Sequence, residues 1–299
     1  MDRLEAMSVL IATVETGSLS AAGRRLGMPL PSVSRKISEL EAGLDARLLV
    51  RSTRKLTLTD AGMAYVTACK RILEQVNDAE RAAAGEYSAP MGELVITAPV
   101  LFGRMHLMPL LTEFLAIHPS INGRLLLTDR NAHFLDDHID LAVRIGNLPD
   151  SSLVAARLGS VRNVVCGSPA YFASHGTPQT PEELSGHATI TFDYLESASL
   201  WRFAGPGSKP GSTVPVRPRL SVNMAEAAID AAIAGVGVTR VLSYQVGRAI
   251  RERKLDIILA KFEPPPIPVN LIHSGTGPLP LKIRGFLDFA GPRLRKILA

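Results

Sequence analysis

Gly17-Ser-Leu-Ser-Ala-Ala-Gly-Arg-Arg-Leu-Gly-Met-Pro-Leu-Pro-Ser-Val-Ser-Arg-Lys-Ile-Ser38 encodes two short helices around a tight turn. Ser18 has the hydroxyl of an N-cap, Leu19, Ala22 and Leu26 mark a buried stripe, and Gly27 suits the left-handed residue that closes a helix. Pro29 and Pro31 then permit only a fresh start. Val33, Ile37, Leu40 and Leu44 recur at helical spacing, which turns Pro31, Ser32, Arg35, Ser38 and Glu39 to the opposite side. Small, hydroxylated and cationic side chains on one face suit a DNA major groove, where Arg35 can reach guanine O6 and N7 with both arms of its fork. The same pattern on an isolated helix pair describes a solvated face equally well, so the neighbouring segments decide between the two.

Upstream, Leu4, Met7, Leu10, Ile11 and Val14 form a stripe that predicts a supporting helix over Asp2 to Glu15. Downstream, Leu48 to Val50 and Leu56 to Leu58 can pair as short strands around the tip Arg51-Ser-Thr-Arg54-Lys55, a wing whose donors suit phosphates and narrow minor grooves. Residues 23 to 58 hold eight Lys plus Arg against three Asp plus Glu, whereas residues 1 to 58 hold nine against six, so the positive excess lies on the reading half. Thr59 and Asp60 open a further helix, along which Ala61, Tyr65, Ala68, Ile72, Val76, Ala79 and Ala83 follow at spacings of four and three. About 25 residues at ~1.5 Å rise make a rod nearly 40 Å long, too thinly apolar to stand alone in water. It needs a partner: a second copy, which would set two reading heads on one interrupted palindromic operator, or the rest of its own chain.

These segments resemble the LysR-type transcriptional regulators. The likeness is carried by Ala21-Ala22, Arg25-Leu26-Gly27, Pro31-Ser32-Val33-Ser34-Arg35-Lys36-Ile37, Leu40-Glu41, Leu44, Arg47-Leu48-Leu49, Arg51 and Leu58-Thr59-Asp60-Ala61-Gly62. Further on, Asp140-Leu-Ala-Val-Arg-Ile-Gly146, Ser168-Pro-Ala-Tyr171 and Phe286-Leu-Asp-Phe-Ala290 look like one large branch of that family. Pro29 and Leu30 depart from it, standing where many relatives have Ser and Gln, so a polar base contact at Leu30 gives way to apolar contact with a thymine methyl. The resemblance implies DNA contacts at Ser18, Leu30, Pro31, Ser32, Ser34, Arg35, Lys36, Arg51, Arg54 and Lys55, and a dimer helix meeting its copy at Tyr65, Ala68, Ile72, Val76 and Ala79. It also implies a homodimer or homotetramer on double-stranded DNA, with RNA polymerase as a further partner.

Some 210 residues remain, enough for one α/β domain or a pair. Residues 93–98, 124–128, 141–145, 163–167, 238–242 and 269–273 are short apolar runs that predict strands. Helical stretches are predicted over 100–118, 132–137, 223–234, 244–253 and 281–298, and the alternation argues for largely parallel sheets. Gly205-Pro-Gly-Ser-Lys-Pro-Gly211 superficially suggests phosphate binding, but its prolines remove backbone donors and no strand-to-helix context surrounds it, so it reads as a hairpin connection. The fold class is therefore a helical winged helix-turn-helix (1–59), a linker helix (60–90) and an α/β effector domain (91–299). By the resemblance that domain is two-lobed and like a periplasmic binding protein, with lobes 91–162 plus 267–299 and 163–266. A small ligand would bind between them. Its lining would come from Thr97, Pro99, Val100, Thr128, Arg144, Ile145 and Asn223. A helix beginning at Asn223 would point its positive end inward, and Arg144 offers either a carboxylate fork or a structural ion pair. An organic anion is the expected effector.

Composition narrows the alternatives. The net charge of +5 is compatible with a polyanionic partner. The helix expected at residues 2–15 is interrupted by Glu5, Thr13 and Glu15, unlike a signal-peptide core, and no run approaches ~18 consecutive apolar residues, so a cytoplasmic protein without a membrane partner is expected. Two cysteines, Cys69 and Cys166, give no disulfide framework, and Cys166 reads either as buried packing or as a redox sensor. The seven histidines form no tight ligand cluster, His133 and His138 lying five apart, and no nucleophile elbow occurs, so no metal, cofactor or catalytic residue is expected. A two-lobed binding protein or an enzyme without a DNA role remains the alternative, and DNA binding separates the two.

Overall fold

In a computed structural model, residues 2–51, 56–83, 89–129, 139–148, 153–192, 199–205, 211–274 and 279–298 are described. The chain divides into two compact units, Met1–Gly92 and Glu93–Ala299.

In the first unit, α1 (Arg3–Thr16) starts where Asp2 Oδ1 accepts the Leu4 and Glu5 amides at 3.0 and 3.2 Å, and ends at Gly17 with φ 74°. α2 (Leu19–Leu26) is capped by Ser18 Oγ, 3.1 Å from the Ala21 amide, and closes at Gly27, φ 65°. α3 (Leu30–Leu44) follows Pro29, with Pro31 in its first turn, where a missing N–H is harmless. Ala6, Val9, Leu10, Ala22, Val33, Ile37 and Leu40 pack into one core with Leu48 of the wing and Val66 of the following helix. At about 25 cal/mol per Å2, full burial of Leu10, Ile37 and Leu40 contributes ~2–3 kcal/mol each. Leu4, Leu26 and Leu44, expected in these stripes, are instead exposed. Each lies in the first or last turn of its helix, beyond the edge of a core only one layer deep.

The wing, β1 (Leu49–Arg51) and β2 (Leu56–Leu58), is antiparallel with Leu49 opposite Leu58. Glu41 Oε1 on α3 accepts the Leu48 and Leu49 amides at 2.8 and 3.1 Å, which fixes the wing to α3. α4 (Asp60–Ala83) begins at Thr59, whose Oγ1 accepts the Gly62 amide at 2.9 Å while donating to the Arg47 carbonyl at 2.7 Å. A Cβ at Gly62 would fall 2.0 Å from the Leu48 carbonyl oxygen, so only glycine lets the helix start this close.

The second unit contains two five-stranded sheets. The first is ordered β4-β3-β5-β14-β6 and uses β3 (Gly92–Ala98), β4 (Ile121–Leu127), β5 (Leu141–Ile145), β6 (Leu153–Val161) and β14 (Ile267–Ser274). The second, β11-β8-β12-β7-β13, uses β7 (Asn163–Gly167), β8 (Thr189–Phe192), β11 (Pro218–Val222), β12 (Val238–Leu242) and β13 (Asp256–Ile258). The sheets are mixed and not largely parallel: β3 and β5 are parallel, as are β11, β8 and β12, but β14 and β7 run antiparallel to both of their neighbours. β6 and β14 were bound to break the pattern, because the chain leaves the first sheet along one and returns along the other. A small hairpin of β9 (Leu200–Phe203) and β10 (Ser212–Pro215) flanks the 205–211 connection, of which residues 206–210 lie outside the described residues.

α5 (Val100–Phe102), a π-helical turn (Gly103–Leu107) and α6 (Met108–Ile117) make one continuous helix. It is long and apolar enough in composition to cross a membrane, but Phe102, Leu107, Leu110, Leu111 and Phe114 are buried against the first sheet and against Phe286 of the C-terminal helix. α7 (Pro169–His175), α8 (Ala225–Ile233) and α9 (Ser243–Arg251) belong to the second sheet, and α10 (Leu281–Leu298) to the first. The buried Lys282 of α10 lies 3.4 Å from Asp140, donates to the Glu93 carbonyl and so ties the chain end to β3. The helix predicted over 132–137 lies outside the described residues, as do His133 and His138.

Candidate DNA interface and effector cleft

On α3, Val33, Ile37 and Leu40 are buried, which leaves Leu30, Pro31 and Arg35 exposed and Ser32 and Ser34 half-buried on the outer surface. Arg35 Nε stands 3.8 Å from Glu39, an exposed i,i+4 pair too weak to hold the guanidinium away from a base. Pro29 offers no capping side chain, so the start of α3 keeps its positive end open. Ser18 spends its oxygen on the α2 cap. Lys36 turns back to pair with Glu5 of α1, so this cation braces the reading helix and does not project outward with Arg35. Arg51 ends β1, while Arg54 and Lys55 lie outside the described residues.

Glu15 joins α1 to α2 and α4, lying 2.8 Å from Arg25 and 3.1 Å from Lys70. Partial burial works against its charge, yet the hydrogen bonds and charges of Arg25 and Lys70 outweigh this and hold its carboxyl below the usual range. Along α4, Val66 and Cys69 are buried, and Tyr65 packs on the same core, so Tyr65 belongs to the reading head and not to an outward seam. Ala68 and Val76 are half-buried, and Ile72 and Ala79 are exposed.

In the second unit the chain passes between the sheets at Arg162 and again at residues 263–266. The Arg162 guanidinium is bidentate to Glu263 at 3.1 and 3.0 Å, and Ser243 bonds the Arg162 backbone in both directions, through Oγ at 3.1 Å and N–H at 2.8 Å. Both crossings are thereby tied together. On one side of them the lobes touch: Leu101 of α5 packs into the second lobe's core with Ala225, Ile229 and Val246, and Tyr244 touches both cores. The Tyr244 ring meets Phe102 and His106 edgewise or tilted at 5.5 and 5.7 Å. Burial raises the Tyr244 hydroxyl well above its ordinary range and holds His106 below its own. No periodicity in the sequence announces these contacts, since they join residues some 140 positions apart.

The expected lining residues divide. Thr97 is fully buried and its Oγ1 has no hydrogen-bond partner among the described residues. Thr97 sits opposite Ala142 in register, and Arg144 lies two residues further along β5, on the same face. Asn270 stands beside Arg144 on β14. Pro99 caps α5, and Thr128 is held by its amide on the Ala98 carbonyl at 3.0 Å. The Val100 amide is already engaged by Asp129 Oδ1 at 3.1 Å, a contact missed in the sequence. Ile145 is half-buried. The helix expected from Asn223 begins at Ala225, with Met224 as its cap, because β11 and a bend at Asn223 take up the preceding residues. Asn223 is exposed. Cys166 is buried, and burial pushes its thiol up to about 12, which fits the packing reading of the two that the sequence leaves open.

Comparison with known proteins agrees with this geometry. Residues 4–63 match the family model described as bacterial regulatory helix-turn-helix protein, lysR family, and residues 88–295 the LysR substrate binding domain. A Xanthomonas campestris HTH-type transcriptional regulator is 36% identical over 96% of this chain and 84% of its own. The Escherichia coli transcriptional activator AaeR is 31% identical over 95% and 91%. The LysR-type regulator CrgA of Neisseria meningitidis superposes with a TM-score of 0.62 at 32% identity, covering 97% of this chain and 98% of that one. The full-length Vibrio cholerae virulence activator AphB gives 0.62 at 26%, covering 96% and 98%. With both of its units matched in order, the chain belongs to the LysR-type transcriptional regulators, DNA-binding proteins that carry an effector-binding domain.

Proposed function

We propose that residues 1–59 read DNA through Leu30, Pro31, Ser32, Ser34 and Arg35, with Arg51, Arg54 and Lys55 of the wing on the phosphates. The observation that supports this most is the outer face of α3, where an exposed arginine and small residues stand on a buried Val33-Ile37-Leu40 ridge. Residues 60–90 pair two chains through Ala68, Ile72, Val76 and Ala79, and the dimer or tetramer so formed spans an interrupted palindrome. Residues 91–299 hold the effector, an organic anion, against Thr97, Pro99, Val100, Thr128, Arg144, Ile145 and Asn223. The protein works on DNA in the cytoplasm, and RNA polymerase is the partner whose access its bound form alters.

The test is a gel shift on the DNA upstream of its own gene. Parent protein should retard a discrete site, and Arg35→Ala should lose it while keeping its melting temperature. Retention of the same affinity and base profile by that variant would sink the assignment of α3 to the major groove.

A further inference from the structure

Arg240 lies on β12 between the buried Thr239 and Val241, with its guanidinium carbon 5.4 Å from the centre of the Trp201 ring. It spends one donor, Nη1, on the Arg202 carbonyl at 3.2 Å. No carboxylate among the described residues pairs with it, and the charge that acts on it is that of a second arginine, Arg202. Structural arginines of this chain behave otherwise: Arg25, Arg162, Arg248 and Arg293 each stand within 4 Å of a glutamate. Burial and the Arg202 charge together lower the Arg240 guanidinium to about 10, which shows how poorly this cation is compensated. Taking a charge out of water without a partner is costly and returns nothing to the fold, so this cation suits an anion supplied from outside the chain.

Its position says which anion. β12 runs parallel to β8 and ends at Leu242, beside the crossing at Arg162, so Arg240 stands at the C-terminal edge of the second sheet, where α/β folds bind ligands. Arg240 shares a face with Val238, which packs in the cluster that holds Trp201, and so points away from the cluster of Val241 and Val246. Arg144 likewise points away from the cluster that contains Leu141 and Val143. Arg240 thus stands near the end of β12 in the second lobe and Arg144 near the end of β5 in the first, one cation per lobe.

We propose that Arg240, backed by Arg202 and resting on Trp201, is the second lobe's half of the effector site and takes a carboxylate, which with Arg144 on the first lobe makes the ligand a small dicarboxylate. This rests on the reading of the cleft given above and names its ligand class. A guanidinium fork matches a carboxylate in both plane and spacing, and one carboxylate per lobe would draw the lobes together.

Trp201 is the single tryptophan of the chain, so its emission reports on the ring beneath Arg240. Full-length protein is titrated with succinate, glutarate and adipate, with propionate and dimethyl succinate as controls, following Trp201 emission and melting temperature. At least one dicarboxylate should change both, propionate more weakly, and the diester neither. Arg240→Gln should lose the emission change and raise half-saturation by about tenfold or more, while its ligand-free melting temperature stays at or above the parent's. Arg240→Lys should restore part of the response.

An Arg240→Gln protein that titrates like the parent, or is several degrees less stable without ligand, overturns the proposal. A dicarboxylate that raises the melting temperature through Arg144 alone, with Trp201 emission unchanged, overturns it and leaves the effector reading standing. If none of the three acids alters emission or melting temperature, the dicarboxylate class falls, and a DNA complex still released by other molecules would keep the effector reading.

Discussion

Single side chains in this protein act by what they are spent on. Arg35 has only an exposed, 3.8 Å partner in Glu39, so its fork is free for a base. Arg35→Ala should cost ~1–3 kcal/mol on the specific site and relax one base preference, read by binding titrations across a mutated-site library. Lys282 is the opposite case, a buried cation held by Asp140. Lys282→Ala would remove the buried cation that pairs with Asp140 and bonds the Glu93 carbonyl, and should destabilise the effector domain by ~3–5 kcal/mol in denaturant titration, with the winged head unaffected. Cys166 is buried, and burial pushes its thiol up to about 12, against formation of the reactive thiolate. Native protein should therefore leave Cys166 unalkylated by iodoacetamide at pH 8 and expose it only on unfolding. Rapid native labelling would reverse the view that it is inert.

At the scale of elements, α4 has two faces with different tasks. Val66 and Cys69 bind it to the head, while Ile72 and Ala79 stand exposed, on the row proposed to meet a second chain. Charges at Ile72 and Val76 should split the oligomer and abolish binding to a two-half-site operator, while single-site binding by the head survives. A doubly charged variant that sediments as the parent oligomer would remove this role. The long helix, both head helices and the wing were legible because their apolar residues recur at a fixed period and their ends carry Ser18, Gly27 and Thr59. β9, β10, β11 and β13 were not, since three to five residues at a sheet edge or in a hairpin are too few to give a period; β8, though inside its sheet, is as short, and β6 is long but buries few of its nine residues. Tyr65 and Lys36 also escaped, because the residue each one meets lies on another helix.

For the whole molecule, the two crossings set how freely the lobes turn. The Arg162–Glu263 pair binds one crossing to the other across about 100 positions of sequence, and Ser243 at the start of α9 holds the Arg162 backbone. Arg162→Ala should speed amide exchange around residues 160–164 and 262–267 while both sheets keep their protection. Unchanged exchange there would leave the pair without a part in holding the crossings. A bound effector should raise the melting temperature by mass action, but shifts DNA occupancy only in so far as it prefers one arrangement of the oligomer.

By itself the sequence determined the reading head, the long helix, the α/β character of the remainder and, through the quoted motifs, the family. Those features are local: a cap, a turn glycine or a 3.6-residue period is written in neighbouring residues. Only the tertiary structure decided which polar groups have partners. Arg144 was visible as a candidate because a strand end carries it, yet Arg240 has the same kind of position and passed unnoticed. What distinguishes Arg240 is that no carboxylate among the described residues pairs with it, together with Trp201 beneath it, and both are facts of three-dimensional packing. The cost of burying a charge is set by everything within a few ångströms, and most of that is brought there by the fold from distant parts of the chain.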